Sequence, residues 1–409
     1  MKCDNIITLA GSKSILNRLL IISTYLDSKL KITNTSHASD IVTMKENISK
    51  LGLKISEKDK NLTIIPTGKS PRKNILNIND SGTAYRFLLA RMCTKKDKLT
   101  KIKPSAQLKK RPIKPLVKIL RSMGAKIEVF NSNISIIGTK LQGGTQDIPA
   151  NLSSQFISAL LLIAPDYEHD LILNLQGKIV SKSYIDMTIK IMRDFGITID
   201  FTDDKILIKQ GQKYQNPDKY IVEPDYSSAC YLWALGAISE KNICIKGRIE
   251  DSLQPDSNFL KILMQIGARV EFEKNLSKVS KKFIKGSNFD MIDMPDQVPT
   301  LAILALFSDS KMVIENVSHL KYKESNRVKA LVTNFKNLGV EIYYDKNNLR
   351  IHPLKKSPSK VTLFSHQDHR LALSFSLLKY KYSYLKVTDI DAIDKSFPEF
   401  RDLITRFGS

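Results

Sequence analysis

Residues 122–137, S-M-G-A-K-I-E-V-F-N-S-N-I-S-I-I, decide the fold. A helix pattern stops at Gly124, a strand follows with Ile127 and Val129 on one face, and Asn131-Ser132-Asn133 turns the chain into a second strand. Glycine past a helix end takes a positive φ at no steric cost and satisfies terminal carbonyls. Alternating strands bury one face, and Asn and Ser supply hairpin-turn chemistry. The pattern recurs around Gly52 (K-L-G-L-K-I-S-E-K-D-K-N-L-T-I-I), Gly196 (D-F-G-I-T-I-D-F-T-D-D-K-I-L-I-K), Gly267 (Q-I-G-A-R-V-E-F-E-K) and Gly339 (N-L-G-V-E-I-Y-Y-D-K-N-N-L-R-I-H). Successive glycines stand 72, 72, 71 and 72 residues apart, and Arg406-Phe407-Gly408 closes the chain 69 residues later with no hairpin after it. A fixed period of this kind marks one supersecondary unit used repeatedly.

Six units divide into three and three. The spacing predicts a seam near 220–225, before a helix at 226–238. The N-terminal strand is expected to cross early and complete the unit ending at Gly408. One domain then covers 13–222, and the other joins 1–12 to 223–409, in an α/β (α+β) chain with its ligand in the cleft between the halves.

The chain has 409 residues, 42% hydrophobic and 26% charged, as in a globular protein with real cores. Its net charge of +23 suits nucleic acid, an anionic membrane surface or anionic small substrates, and equally a Lys-rich solvated surface. Charge alone does not choose. Cys3, Cys93, Cys230 and Cys244 stand far apart with no C-x-x-C pair, which argues against a zinc site or a disulfide framework and for a reducing compartment. The six histidines show no H-E-x-x-H spacing. The longest apolar runs, 157–165 and 298–307, are about half a membrane span. The N-terminus carries Asp4 and lacks a long apolar run, so no signal peptide is read there. A cytoplasmic chain is expected.

Several stretches exceed what a scaffold needs. In L-A-G-S-K-S-I-L-N-R (9–18), Lys13 lies between Ser12 and Ser14 where a strand turns into a helix, with Arg18 one helical turn beyond Ser14. A helix N-terminus offers N–H groups and partial positive charge to an anion; a capped helix with two solvated cations is the other account. Asp80-Ser81-Gly82-Thr83 opens another helix, where Gly82 permits close backbone approach and Asp80 or Ser81 suits an ordinary N-cap. Lys109-Lys110-Arg111-Pro112 puts three cations before a proline at an expected helix start. Ser153-Ser154-Gln155 and Ser181-Lys182-Ser183-Tyr184 start two further helices, by capping or by binding. In the second half, Asp296 precedes an apolar helix. Lys323 and Arg327 are read one helical turn apart with Glu324 between them, and Arg370 and Lys395 sit at element boundaries. An exposed salt-bridge face, worth about 0–1 kcal/mol per pair, is the alternative. Like charges about 4 Å apart repel by roughly 4 kcal/mol at an effective dielectric near 20. Converging cations therefore favour closure on an anionic ligand.

Ten segments, in order, resemble the 5-enolpyruvylshikimate-3-phosphate synthases, a family of enolpyruvyl transferases. They are G-S-K-S-I-L-N-R, D-S-G-T-A-Y-R-F, L-K-K-R-P-I, S-S-Q-F, S-K-S-Y-I-D, V-E-P-D-Y-S-S-A, M-P-D, K-Y-K-E-S-N-R, D-H-R-L-A and D-K-S-F-P-E-F. The resemblance implies two domains of three βαβαββ units each, an inside-out α/β barrel arrangement. It implies transfer of the enolpyruvyl group of phosphoenolpyruvate to the 5-hydroxyl of shikimate 3-phosphate, without cofactor or metal. On this resemblance Lys13, Ser14, Arg18, Ser153, Ser154, Gln155, Ser181 and Tyr184 hold shikimate 3-phosphate, with Asp296, His319 and Lys323. Lys13, Gly82, Arg111, Gln155, Arg327, Arg370 and Lys395 surround phosphoenolpyruvate. Asp296 is the expected base for the hydroxyl, and Glu324 with Lys13 the expected acid for the methylene carbon.

The departures are local. His319 stands where many members carry Asn, Phe87 and Ala10 where many carry Pro, and Pro104-Ser105-Ala106 lacks the usual Gly-Asp. The sister UDP-N-acetylglucosamine enolpyruvyl transferases often carry a Cys in the loop before the arginine; here 104–111 has none. A nucleic-acid-binding or RNA-end-processing protein of similar repeats would use the charge, but the motif cations gather at element ends. The expected partners are the two small anions, with no nucleic acid and no membrane, and a monomer is expected.

Overall fold

The structure is a computed structural model. It describes every residue except Met1, Lys2, Asp4, Ser70, Ser132 and Ser409, so Asp4 and the middle of the Asn131–Asn133 turn lie outside the described residues. The chain forms two compact units, Gly11–Val222 and Met1–Ala10 with Glu223–Ser409. The division falls two residues before the expected Lys13. Gly11 donates its N–H to Thr35 O at 3.3 Å, inside the first of these units.

The repeat glycines do what their positions demand. Gly52, Gly124, Gly196, Gly267 and Gly339 all have positive φ, between 78° and 98°. At Gly124 the glycine N–H reaches Arg121 O at 3.0 Å and the next N–H reaches Leu120 O at 2.9 Å. That paired closure of a helix end recurs at Gly196, Gly267 and Gly339. The hairpins turn through left-handed Asp59-Lys60 and Lys346-Asn347, the pairing that matches strand twist.

Gly11–Val222 contains three four-stranded sheets. In one, Lys73–Asn79 lies parallel to Leu99–Pro104, which pairs antiparallel with Asn133–Ile137, followed by Lys126–Phe130. With helices Gly82–Cys93 and Lys114–Ser122 between, this is one βαβαββ unit. Burial alternates along Lys73–Asn79, so each sheet turns one face out. Helices lie inside: Gly82–Cys93 packs on Ser154–Leu162, which packs on Lys182–Asp194. In the other unit, every residue of Tyr226–Ile238 and Val298–Ala305 is buried, and His369–Leu378 packs on both. A helix apolar all round belongs at the centre of its domain.

Two expectations need correction. The N-terminal strand Asn5–Ile7 does not complete the last unit; it pairs parallel with Ile243–Lys246, Ile6 opposite Cys244. Among the described residues the last unit has the two-stranded pair Thr362–Leu363 and Lys386–Val387 and no other strand. The cysteines also differ from the reading. Cys3 and Cys244, 241 residues apart, form a disulfide, because the strand pairing brings distant sequence side by side. Cys93 and Cys230 are free and buried. Cysteine spacing therefore carries no argument here for a reducing compartment. Among the described residues no helix is long and apolar enough to cross a membrane.

Candidate functional site

Two clusters of side chains stand out, one in each unit. In Gly11–Val222, helix Lys13–Ile22 starts after Ser12, whose buried hydroxyl makes no capping bond. Lys13 Nζ meets Asp40 Oδ2 at 2.8 Å. Asp40, at the start of helix Ser39–Ser49, has no motif to announce it, and sequence reasoning missed it. Arg18 is buried and turned into the protein. Its guanidinium donates to Thr188 Oγ1 at 2.7 Å, Ser14 O at 2.7 Å and Tyr184 O at 3.0 Å. Burial lowers its pKa to about 10. Arg18 thus ties helix Lys13–Ile22 to Lys182–Asp194 and fixes the backbone at Ser14 and Tyr184. Ser181, just before that helix, is buried and left-handed at φ 56°, a conformation a serine holds only when its surroundings impose it.

A second group forms around Gly82, the first residue of helix Gly82–Cys93. Ser81 caps that helix, accepting from Ala84 N at 3.4 Å. A Cβ at Gly82 would lie 2.3 Å from Arg111 Nη1, so only glycine lets the guanidinium approach this closely. Arg86, buried, donates to Gly82 O and Pro112 O, each at 2.9 Å, and braces both loops. Gln155 reaches Thr83 Oγ1 at 3.2 Å, while Ser153 caps its own helix through Gln155 N at 3.3 Å. The arginine loop differs from expectation: Leu108–Lys110 is a 3-10 turn, and the following helix starts at Lys114 with Pro115, not Pro112, in its first turn.

The cluster in the other unit is denser. Asp296 lies on the turn Pro295–Gln297 before helix Val298–Ala305 and is about 22% exposed. Arg327 Nη1 meets Asp296 Oδ1 at 2.9 Å, Lys323 Nζ the same oxygen at 3.4 Å, and Arg370 Nη2 its Oδ2 at 3.1 Å. Arg327 also contacts Glu324 Oε2 at 2.8 Å and Asp368 Oδ2 at 2.9 Å, and Lys395 Nζ lies 3.5 Å from Glu324 Oε1. Burial alone would raise the Asp296 carboxyl, but Lys323, Arg370 and Arg327 outweigh it and hold it well below the usual range. Arg327 loses to burial and gains more from Asp368, Glu324 and Asp296, so it holds its proton even more tightly than a free arginine.

The helical reading of 321–327 fails. Ser318–Tyr322 is a 3-10 turn, Lys323 is extended, and the helix begins at Arg327 under an Asn326 cap. Lys323 and Arg327 meet at Asp296 through tertiary folding instead. The exposed salt-bridge account fails too, since Arg327 is 1% exposed and Arg370 4%. His319 is buried beside them, its Nε2 without a hydrogen-bond partner among the described residues. Burial, then Lys323, lower its pKa to about 3, so it is neutral. Asp368 carried no assigned role in the sequence. It caps helix His369–Leu378 through Arg370 N at 3.0 Å and anchors Arg327.

Residues 2–404 match the family described as EPSP synthase (3-phosphoshikimate 1-carboxyvinyltransferase). The chain belongs to the EPSP synthase family. It is similar to the 3-phosphoshikimate 1-carboxyvinyltransferase of Histophilus somni, 34% identical over 98% of this chain and 95% of that one. It is similar to the protein of that name from Buchnera aphidicola, 35% identical over 96% of this chain and 92% of that one. Its fold resembles the EPSP synthase structure from Acinetobacter baumannii, with a TM-score of 0.79 at 23% identity, covering 98% of this chain and 95% of that one. In this EPSP synthase family member the charged side chains gathered on Asp296 and Glu324 come from turns and helix ends, while Arg18 and Arg86 brace the other unit from within helices.

Proposed function

We propose that the chain transfers the enolpyruvyl group of phosphoenolpyruvate to the 5-hydroxyl of shikimate 3-phosphate, releasing phosphate. The observation that carries this reading is the set Lys323, Arg327, Arg370 and Lys395 gathered on Asp296 and Glu324. Four cations face three carboxylates, counting Asp368, and most of these side chains are buried, where such contacts are stronger than in water. An anionic substrate adds the charge this cluster lacks. Its carboxylate competes for Arg327 and Arg370, whose hold keeps Asp296 a weak base. Drawing them away raises the basicity of Asp296, so base strength follows substrate binding.

Asp296 then accepts the proton of the attacking hydroxyl as its oxygen bonds to C2 of phosphoenolpyruvate. Glu324, assisted by Lys13, gives a proton to the methylene carbon, completing a tetrahedral adduct. Loss of phosphate with return of that methyl proton to Glu324 restores the enol ether, and the hydroxyl proton held by Asp296 leaves with the departing phosphate, so both carboxyl groups regain their starting states. Lys13, Gly82, Arg111 and Gln155 serve the anionic groups from Gly11–Val222, and Ser14, Ser153, Ser154, Ser181, Tyr184 and His319 the shikimate 3-phosphate. Phosphorylated substrates that do not cross membranes support a cytoplasmic site of action, and the Cys3–Cys244 disulfide weighs against it.

Asp296→Ala tests the central role. We expect a folded protein that still binds both substrates by titration calorimetry, with turnover lowered by about 10²–10⁴-fold. An undiminished rate removes Asp296 from the mechanism.

A further inference from the structure

We propose that Ser105 and Asp80 are a positioning pair that holds Arg111 over Gly82 and thereby sets the affinity for phosphoenolpyruvate. The inference rests on the function proposed above and adds to it how one anion-binding loop is held. Two parallel strands, Lys73–Asn79 and Leu99–Pro104, run side by side into the two loops concerned. Their register shifts between Asn77 and Asn79, just where the loops begin.

Ser105 uses all its polar groups at that point. Its N–H donates to Asn79 O at 3.0 Å, and its hydroxyl donates to Asp80 Oδ1. The same hydroxyl accepts from Leu108 N at 3.1 Å, and its carbonyl accepts from Lys109 N at 3.0 Å. One residue therefore ties the loop before Gly82 to the turn Leu108–Lys110 that ends at Arg111. Arg86 braces the far side through Gly82 O and Pro112 O. The Arg111 guanidinium is fixed against Gly82 between these two attachments.

The chemistry of the pair is directional. An Asp80 carboxylate two residues before Gly82, against which Arg111 lies, would, if left unheld, repel an arriving anion or compete for the guanidinium. The Ser105 O–H makes a charge-assisted bond that turns one carboxylate oxygen toward the neighbouring loop. Ser105 is thus a positioning residue and touches no substrate.

The test is steady-state kinetics on the full chain, with inorganic phosphate binding measured by calorimetry on the same proteins. Ser105→Ala should raise KM for phosphoenolpyruvate about tenfold, leaving kcat and KM for shikimate 3-phosphate within about twofold. Ser105→Asp keeps a capping oxygen but sets two carboxylates face to face, and should be worse than Ser105→Ala. The double variant Asp80→Asn with Ser105→Asp restores a donor and an acceptor, and should recover KM to within about threefold of wild type. Phosphate affinity should rank the variants in the same order. An unchanged KM in Ser105→Ala, a loss shared equally with kcat, or a double variant no better than Ser105→Asp overturns the pairing. A wild-type protein with no turnover overturns the proposed function instead, and the phosphate ranking then decides the pairing alone.

Discussion

Replacing Arg327 by Met should cost the unit Met1–Ala10 with Glu223–Ser409 about 3–5 kcal/mol, the usual loss when one partner of a buried ion pair is removed. The structure gives the reason. Arg327 is 1% exposed and its partner Asp368 is 0% exposed. Nε and Nη2 of Arg327 grip the two Asp368 oxygens at 2.9 and 3.2 Å. Without the guanidinium, the hydrogen bonds recorded to that carboxylate come from Ser325 Oγ at 3.0 Å and Arg370 N at 3.0 Å. Asp368→Asn should cost less, about 1–3 kcal/mol, because Arg327 keeps Glu324 and Asp296. The double variant removes the stranded charge, so its loss should fall short of the summed single losses by about 2 kcal/mol or more. Urea unfolding followed by tryptophan fluorescence reads this cleanly. Trp233 is the chain's one tryptophan and lies in the core of the same unit, so unfolding of Gly11–Val222 does not blur the transition. With m near 1–3 kcal/mol/M, the Arg327→Met midpoint drops by about 1–5 M. Single losses that add to within about 0.5 kcal/mol, or an Arg327→Met loss below about 1 kcal/mol, would refute the buried pair as an energetic unit.

Asp256, fully buried, is raised to about 6 by burial, which outweighs the hydrogen bond from Ser227 and the charge of Arg370. Its folded pKa thus exceeds the unfolded value near 3.9, so the native state binds the extra proton. Stability from this group falls by about 3 kcal/mol as pH rises from about 4 to 6. Asp256→Asn should remove that fall in Trp233-monitored urea midpoints, and parallel pH profiles for variant and wild type contradict it. His319, with a pKa near 3, should show imidazole proton resonances that stay flat from pH 5 to 8; a titration near 6.5 means the pocket is wetter than described. Peptide mapping without reductant should find Cys3 joined to Cys244, and Cys3→Ser with Cys244→Ser should lose about 2–4 kcal/mol. Free thiols at both positions or unchanged stability contradict the tether.

The fold was legible where local chemistry dictates it. Gly124 and its four counterparts end helices because their backbone conformation costs other residues energy, and that requirement shows in the sequence itself. Partnerships across long chain separations were not legible. The pairing of Asn5–Ile7 with Ile243–Lys246, and the disulfide beside it, depend on how the sheets assemble. The same holds for Asp40 under Lys13 and Asp368 under Arg327: a motif shows the cation, and only folding brings the carboxylate. The misread helix at 321–327 is different. Asn326 is a recognisable N-cap, and a helix starting at Arg327 was readable from it.

The most direct measurement is phosphate release from phosphoenolpyruvate by the purified chain, with shikimate 3-phosphate or UDP-N-acetylglucosamine as acceptor. Release that requires shikimate 3-phosphate, and is absent with the nucleotide sugar, is the predicted result. Release with UDP-N-acetylglucosamine alone, or none with either from folded protein, would contradict it.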